Sequence, residues 1–454
     1  MRFRTTLILI AILLAAGAYV YFVEQPKQEA AAKKPTLYEA KAEDVTSVGL
    51  VYSDRQVEIV KTDDKWKLTK PLETAGDESA IKNLVNAVIG CEIAKELEDA
   101  NTDLKVYGLD TPFVTVSFGT KGDKQPPKTR FGKTTPVGSS AYAQREGEQK
   151  VLLANSSCRH ALDKQVKDLR DKTLVDFKDD DVQAFQIERP GAFISLERKD
   201  GAWQVSPGPY KADANAVRTY LSSVRALRAV EFPDDSPVPD GGLYGLGDPR
   251  LRIRMRTGES TETVVELGKE TSTKNVYVQV LGKPGIYEVG EYTYRNLDKT
   301  ALDLRDKTVL PFEVDALQSV EVTRKDGGTF KIVRSGDTWT VEGPQGKPKT
   351  DALHEYVGDV HDLSGYEIIT DKPEALTTYG LDRPQLRLAL AGKEGAALGT
   401  ILIGQVADDE AGDMTAMIEG GSTVYKVRAY VFNRLNREPA ALVDAPAEPT
   451  KAAP

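Results

Sequence analysis

The sequence is poor in the side chains most often used for catalysis and metal binding. Its 454 residues include only two cysteines, three histidines and four methionines. With His and Cys this scarce, a Ser-His-Asp or Cys-His nucleophile is hard to assemble. A Gly-x-x-x-x-Gly-Lys-Ser/Thr phosphate loop and a Gly-x-Ser-x-Gly nucleophile elbow are both missing from the sequence. We therefore expect a protein that is not an enzyme, with no catalytic residues, no cofactor and no metal.

An excess of positive charge is also absent. The formal net charge is −9, whereas a general nucleic-acid binder normally shows a basic balance. The composition, 40% hydrophobic and 28% charged, is ordinary for a globular protein. A chain of 454 residues exceeds the usual size of one core, so three domains are the natural expectation.

The few cysteines and histidines each leave two interpretations. Cys91 and Cys158 form a disulfide if the compartment is oxidising, but two buried or unpaired thiols are the favoured interpretation. His354 and His361 lie seven apart on a predicted helix and could share a face. A metal site there needs a third ligand, for which Glu355 is one candidate, so two surface histidines are favoured.

The N-terminus predicts a membrane anchor. Residues 1–4 are basic, and residues 5–23 carry no charge, close to the ~20 residues that span a bilayer as a helix. Positive charges before this run place the N-terminus in the cytoplasm and the rest of the chain beyond the inner membrane. A cleaved signal peptide with Ala16-Gly17-Ala18 is the alternative, but the apolar run continues past that site. Residues 24–36 are interpreted as a linker.

One motif occurs three times. A tryptophan is followed 41, 41 and 40 residues later by Tyr-Gly-Leu, and a proline comes shortly after. The three sets are Trp66, Tyr107, Gly108, Leu109 and Pro112; Trp203, Tyr244, Gly245, Leu246 and Pro249; and Trp339, Tyr379, Gly380, Leu381 and Pro384. The spacing indicates three tandem repeats, at residues 37–176, 177–311 and 312–439, followed by a disordered tail at 440–454.

Within each repeat the apolar pattern changes its period. Alternation at Val48 and Leu50 predicts strands, whereas Ile81, Leu84 and Val88 fall on one face of a helix. Each repeat thus predicts three strands, a helix, four strands and a closing helix. The fold class expected is α+β, with three tandem repeats of antiparallel sheet plus helices preceded by one transmembrane helix.

The repeated motif could be a ligand site or a structural element, and the structural interpretation is favoured. Gly108 is expected to end a helical turn in the left-handed region, with Leu109 as its hydrophobic contact. On this view Tyr-Gly-Leu is the joint between each helix and its second sheet. The closing segment Leu-Arg-Asp-Lys-Thr occurs at 169–173 and 304–308, and Leu435-Asn436-Arg437-Glu438-Pro439 is taken to replace it in the third repeat.

A local cluster of arginines is the one candidate interaction site. Arg250, Arg252, Arg254 and Arg256 alternate with apolar residues, so on a strand their guanidinium groups emerge on one face. This stripe could contact an acidic partner, a polyanionic glycan or lipid head groups. Pairing with glutamates of the next predicted strand, such as Glu266, is the favoured alternative.

Taken together, the anchor, the Trp strand, the Tyr-Gly-Leu-x-x-Pro motif and the Leu-Arg-Asp-Lys segment resemble an uncharacterised bacterial repeat family catalogued as domain of unknown function 4340. The resemblance covers about residues 37–439. It supplies no catalytic residues, and it implies an accessory or scaffold role beside ABC exporters of the gliding-motility type.

The function expected is therefore a non-catalytic, single-pass inner-membrane protein with its bulk in the periplasm. Its expected partners are the inner-membrane bilayer and membrane transporter subunits, not nucleic acid. The alternatives are an envelope polysaccharide or peptidoglycan-binding module and, less favoured, an envelope hydrolase.

Overall fold

The computed structural model describes residues 35–97, 103–122, 125–208, 210–236, 240–258, 260–405 and 412–444. The predicted cytoplasmic end, the predicted anchor at residues 5–23 and the linker up to residue 34 lie outside these ranges. Within the ranges that are described, no helix is long and apolar enough to cross a membrane. The anchor therefore stays a prediction from the sequence.

The first repeat is built on a nine-stranded antiparallel sheet. Its strands are β1 (Val45–Val51), β2 (Gln56–Thr62), β3 (Lys65–Lys70), β4 (Thr74–Ala75), β5 (Ile93–Leu97), β6 (Val114–Thr120), β7 (Thr129–Thr134), β8 (Ser140–Arg145) and β9 (Val151–Asn155). In space they follow the order β4-β3-β2-β1-β6-β7-β8-β9-β5. The helices are α1 (Glu78–Ile89), α2 (Ser156–Ala161) and α3 (Val166–Leu169).

One expectation for this repeat is wrong. The sequence predicts a single closing helix over 156–169, but α2 ends at Ala161 and α3 begins at Val166. The Asp168 carboxylate accepts a hydrogen bond from the Gln165 amide at 2.8 Å, and this capping box starts a new helix.

The second repeat has the same sheet. Its strands are β10 (Val182–Arg189), β11 (Ala192–Lys199), β12 (Ala202–Ser206), β13 (Tyr210–Lys211), β14 (Glu231–Asp234), β15 (Leu251–Thr257), β16 (Thr261–Glu270), β17 (Val276–Val280) and β18 (Ile286–Val289). Their order, β13-β12-β11-β10-β15-β16-β17-β18-β14, repeats that of the first sheet. The helices are α4 (Ala214–Arg225), α5 (Glu291–Leu297) and α6 (Ala301–Leu304).

The third repeat has an eight-stranded sheet. Its strands are β19 (Ser319–Arg324), β20 (Thr329–Ser335), β21 (Thr338–Glu342), β22 (Glu367–Thr370), β23 (Leu386–Ala391), β24 (Ala397–Gln405), β25 (Met414–Ile418) and β26 (Val424–Val427), in the order β21-β20-β19-β23-β24-β25-β26-β22. The helices are α7 (Thr350–His361) and α8 (Ala429–Leu435). Three antiparallel sheets with accompanying helices confirm the predicted α+β class.

The long helices α1, α4 and α7 each bury one apolar face, as their period predicts. On α1 the buried residues are Ile81, Leu84, Val85 and Val88. Asp77 and Asp213 cap α1 and α4: the first accepts from the Ala80 amide at 2.9 Å and the second from the Asn215 amide at 2.8 Å. These carboxylates satisfy amides that have no partner inside the helix, which fixes where each helix begins.

By compactness the chain forms two units rather than three. The first runs to Leu174 and includes Arg228–Phe232, and the second comprises Val175–Leu227 and the chain from Pro233 onward. The first unit thus takes a short segment of the second repeat, and the second unit contains most of the second repeat together with the third. Three sheets therefore do not make three separately compact bodies.

The predicted disordered tail starts too early. Pro439–Leu442 forms a 3-10 helix, Leu442 is fully buried, and Val443 is 5% exposed. Leu442 belongs to the apolar core of the third repeat, together with Leu353 and Leu435. Burial of an apolar side chain stabilises the segment that carries it, so the third repeat extends at least to Asp444.

The two cysteines form a disulfide, against the favoured interpretation of unpaired thiols. Cys91 follows α1, Cys158 lies on α2, and their Cα atoms are 5.7 Å apart. Both side chains are buried where α1 packs against α2. The pairing depends on this packing between segments 67 residues apart, which a repeat pattern lacking counterpart cysteines does not reveal.

Removing the disulfide with the double substitution Cys91→Ala, Cys158→Ala is expected to lower the free energy of unfolding of the first unit by about 3–4 kcal/mol. A cross-link that closes a loop of this size restricts the unfolded chain. Urea unfolding without reductant gives the measurement. Dithiothreitol should weaken the wild type by a similar amount and leave the variant unchanged. A variant as stable as the oxidised wild type contradicts the prediction.

Candidate functional site

The Tyr-Gly-Leu motif forms the same turn in all three repeats. It ends the 3-10 helices Leu104–Val106, Gly241–Tyr244 and Leu376–Tyr379. The glycine has a positive φ in each copy, for example 66° at Gly108, and the Leu109 amide donates to the Leu104 carbonyl at 3.0 Å. The expected left-handed glycine is confirmed, since few other residues adopt this conformation.

A second glycine explains what the motif packs against. The Gly132 backbone lies so close to the motif that a Cβ atom there would be 2.2 Å from the Tyr107 carbonyl oxygen. The same distance is 2.2 Å between Gly268 and Tyr244 and 2.5 Å for the third repeat's pair, Gly404 and Tyr379. The amide of Lys133 donates to the Tyr107 carbonyl at 2.9 Å. In each repeat, therefore, the backbone of the Tyr-Gly-Leu turn is in direct contact with the backbone of the second glycine.

The motif does not join two sheets, because the described residues of each repeat form a single sheet. In the first repeat Tyr107, Leu109 and Val151 form a small apolar cluster separate from the main core. Val151 and Leu152 are neighbours on β9, so their side chains point to opposite faces of the sheet. Leu152 belongs to the main core, which places Tyr-Gly-Leu over the other face.

The tryptophans also have structural surroundings. Trp66 and Trp339 are buried, and Trp203 lies 5.5 Å from the ring of Phe185. Each is the second residue of the third strand of its repeat, on β3, β12 and β21. The Trp66 amide donates to the Glu78 carboxylate at the start of α1, at 2.8 Å. The tryptophan strand is thereby tied to the long helix.

The arginine stripe on β15 is largely paired with carboxylates. Arg252 donates to Glu266 at 2.8 Å and to Glu188 at 3.3 Å, and Arg254 donates to Glu188 at 2.7 Å. Glu266 lies directly opposite Arg252 on β16, the strand expected from the sequence. Glu188 lies on β10, on the other side of β15, and was not expected as a partner.

The two outer arginines have other neighbours. Arg250 stacks over the ring of Tyr294 with its guanidinium carbon 4.7 Å from the ring centre, and Arg256 lies 3.8 Å from a Glu197 oxygen. Opposite charges on adjacent strands neutralise each other and stabilise the sheet. The stripe is thus a mixed ionic network, and its attraction for a polyanion is correspondingly small.

Arg305, in the second Leu-Arg-Asp-Lys segment, joins the second repeat to the third. Its side chain is 5% exposed and binds both oxygens of Asp371, at 2.5 and 3.0 Å. Its guanidinium carbon lies 3.5 Å above the ring centre of Tyr210, and the Thr423 hydroxyl donates to Asp371 at 2.9 Å. The Arg305 ion pair holds the pKa of Asp371 below its usual range. A bidentate pair of this kind fixes both partners.

The counterpart of this segment in the third repeat was misassigned. The Asp213 amide donates to the Leu304 carbonyl at 2.9 Å, and the Lys349 amide donates to Leu442 at 2.9 Å. Ala212 bridges Arg305, and in the same way Pro348 bridges Val443. Leu442-Val443-Asp444 therefore takes the place of Leu-Arg-Asp, not Leu435-Asn436-Arg437. The last repeat has valine where the second repeat has the joining arginine.

Neither histidine of α7 is deeply buried. His354 lies on the exposed side of α7, and His361 contacts its sequence neighbour Asp362 at 2.7 Å. Across the described ranges, no three His, Cys, Asp or Glu side chains come together as a metal site. Asp359 is the buried acid of this helix; burial raises its pKa, and Arg434 lies 3.3 Å away.

These features define a tandem-repeat α+β protein whose repeated residues make structural contacts. A sequence profile of the family described as "Domain of unknown function (DUF4340)" matches residues 66–243, 203–358 and 347–446. The chain belongs to this family. The first two matches begin at the tryptophans of consecutive repeats. No curated protein and no solved structure matches the chain.

Placing a methyl group at the glycine contact is expected to destabilise the second repeat. Gly268→Ala sets a Cβ against the Tyr244 carbonyl, and we expect a loss of about 2–3 kcal/mol from overpacking. Gly247→Ala is the matched control, because no atom lies within 4 Å of its Cβ position. Urea unfolding followed by tryptophan fluorescence makes the comparison. Equal stabilities for the two variants contradict the prediction.

Removing the joining arginine is expected to weaken the second unit and change its pH dependence. Arg305→Met leaves Asp371 without its buried partner, at a cost of about 3 kcal/mol. The lowered pKa of Asp371 contributes stability above its unfolded pKa of about 4, and this is lost as the pH falls. The wild type should therefore lose stability more steeply than the variant below about pH 5.

Arg387→Met is the control for this experiment, because the Arg387–Glu419 pair lies on the surface, with 38% and 49% of the two side chains exposed. It should cost less than about 1 kcal/mol. Thermal unfolding between neutral and acidic pH gives all three stability curves. Parallel curves for the wild type and Arg305→Met refute the assigned role of the pair.

Proposed function

We propose that this protein is a non-catalytic scaffold of the bacterial envelope. Its N-terminal segment holds it in the inner membrane, and its three repeats lie in the periplasm. There it presents their surfaces to subunits of an ABC-type export system. The sequence resemblance suggested the exporter, and the fold supports a scaffold because its recurring residues are used in structural contacts.

The disulfide is the observation that carries the location. Disulfides persist in oxidising compartments and are rare in the cytosol. Cys91 and Cys158 are positioned to form one inside the first unit. This agrees with the orientation predicted from the positive charges before residue 5, by which everything after residue 23 is extracytoplasmic.

The glycan-binding alternative loses its main argument. It depended on a stripe of four arginines, and Glu188, Glu197 and Glu266 now lie within ion-pair distance of three of them. The hydrolase alternative has no assigned carboxylates. The buried acid of α7, Asp359, lies 3.3 and 3.6 Å from the guanidinium groups of Arg434 and Arg437, where α7 packs on α8.

Alkaline phosphatase fused after Val23 is expected to be active, because that enzyme needs the periplasm to form its own disulfides. A fusion after Arg4 is the control and should be inactive. Activity is read against the amount of fusion protein in the membrane fraction. An inactive fusion after Val23 would overturn the orientation and, with it, the proposed location.

Crosslinking of the full-length protein in membranes, followed by mass spectrometry, tests the partner. We expect subunits of an ABC-type exporter among the crosslinked products. If no exporter subunit is recovered and the purified protein binds isolated peptidoglycan, the scaffold proposal fails in favour of the glycan-binding one.

A further inference from the structure

A basic residue stands beside the tryptophan in every repeat. On the neighbouring strand Lys61 lies opposite Trp66, Arg198 opposite Trp203 and Arg334 opposite Trp339. Residues that pair across two strands point to the same face of a sheet, so each basic side chain begins next to the tryptophan. A short 3-10 helix precedes the first strand of each sheet, at Ala42–Asp44, Asp179–Asp181 and Val314–Ala316.

In the third repeat the basic residue bridges the tryptophan and the 3-10 helix. The guanidinium carbon of Arg334 lies 5.7 Å from the ring centre of Trp339. The guanidinium group donates to the carbonyl oxygens of Val314 and Asp315, at 3.4 and 3.2 Å, and to the Asp315 carboxylate at 3.2 Å. The third repeat therefore shows an arginine held between an aromatic ring, two carbonyls and one carboxylate.

In the second repeat a different arginine reaches the 3-10 helix. Arg225, the last residue of α4, donates to Asp179, the first residue of the 3-10 helix, at 3.0 Å. The corresponding residues of the first repeat are Ile89, at the end of α1, and Ala42. Neither side chain is charged, so the first repeat cannot make this ion pair.

In the first repeat the corresponding space is a groove of about 530 Å³. Its floor is apolar, because it is lined by Trp66 and Val85, which are 7% and 3% exposed. Lys61, the counterpart of Arg334, lies 3.2 Å from the Asp64 carboxylate of its own β-turn. The basic side chain that bridges to the 3-10 helix in the third repeat is thus directed to the turn in the first.

Carboxylates outnumber ammonium groups around this groove. The charged residues that line it are Glu43, Asp64, Glu78, Lys61 and Lys82. Glu43 is the middle residue of its 3-10 helix, as Asp315 is in the third repeat. Its nearest cation is the Lys41 ammonium group at 3.9 Å, and 78% and 74% of the two side chains are exposed. Such an exposed pair is weak, so Glu43 is available to another cation.

We propose that this groove binds the arginine side chain of a partner polypeptide, with its guanidinium group over Trp66 and paired with Glu43. The chemistry is that of the Arg334 contacts: the ring face attracts the cation, and the carboxylate accepts its N–H groups. Arginine is a frequent anchor of protein interfaces because it both stacks and forms bidentate pairs. That the partner lies in the envelope rests on the proposed function, whereas guanidinium binding does not.

The chain outside the described ranges is a poor source of this arginine. Those residues contain only two arginines, Arg2 and Arg4. Both precede the apolar run at residues 5–23, so the predicted orientation leaves them in the cytoplasm while the first repeat lies beyond the membrane. The arginine that enters the groove therefore comes from another molecule.

The test compares two small probes for binding to the full-length protein in detergent. Nα-acetyl-arginine amide carries the guanidinium group without the charges of a free amino acid, and Nα-acetyl-citrulline amide is its uncharged isostere. Saturation-transfer NMR measures both titrations. We expect saturable binding of the arginine probe and at least about tenfold weaker binding of citrulline, because charge-assisted hydrogen bonds are lost. No binding, or equal binding of both probes, overturns the proposal.

Variants of the protein locate the site. Lys61→Arg restores the arginine found in the third repeat, and by filling the groove it should weaken binding at least about tenfold. Lys67→Arg is the matched control, because residue 67 is next to Trp66 on β3 and points to the opposite face. It should leave binding unchanged.

Glu43→Gln removes the proposed carboxylate and should weaken binding by up to about fivefold, as expected for an exposed ion pair. Melting temperatures at or above that of the wild type show that the variants fold. Binding that survives both Lys61→Arg and Glu43→Gln in folded protein overturns the proposal.

Two further outcomes would assign the groove to another occupant. If free L-arginine binds at least about tenfold more tightly than Nα-acetyl-arginine amide, the groove is a site for the amino acid rather than for a side chain. If the protein self-associates with rising concentration and Lys61→Arg prevents this, the occupant is a second copy. Either result overturns the proposed partner.

The probe experiment and the fusion experiment fail separately. An active fusion after Val23 without binding of the arginine probe removes the groove proposal and leaves the envelope scaffold. Binding of the arginine probe with an inactive fusion keeps the groove and removes the proposed location.

Discussion

The backbone contact between the Tyr-Gly-Leu turn and the glycine of a neighbouring strand is the constraint on which each repeat depends. It brings the carbonyl oxygen of Tyr107, Tyr244 or Tyr379 to a position that any Cβ on the strand would occupy. A side chain there would separate the turn from the sheet, so both partners must be glycine-containing segments. The turn can then cover the sheet face opposite the long helix. In the first and third repeats a small apolar cluster separate from the main core forms there.

The second constraint is how one repeat meets the next. Arg305 is nearly buried. Its charge pairs with Asp371, and the plane of its guanidinium group stacks on the ring of Tyr210. An arginine buried in this way is costly unless its partner is in place, so the junction specifies one arrangement. Val443 occupies the same position in the third repeat, so the arginine is not part of the repeated pattern there.

These two contacts also bear on function. Residues that recur between repeats make the fold, whereas the surfaces that differ are available for partners. The proposed scaffold role rests on this division, because the recurring glycines and tryptophans already serve structural contacts.

The sequence by itself determined the number of repeats, the α+β class and the buried face of α1. All of these follow from periodicities and signals within about 40 residues. Only the tertiary structure decided the Cys91–Cys158 disulfide, the pairing of Arg252 and Arg254 with Glu188, and the extension of the third repeat through Leu442-Val443-Asp444. Each depends on residues far apart in the chain, whose proximity is set by how strands and helices pack. Local sequence patterns predict which residues are buried, but they do not predict which residues those pack against.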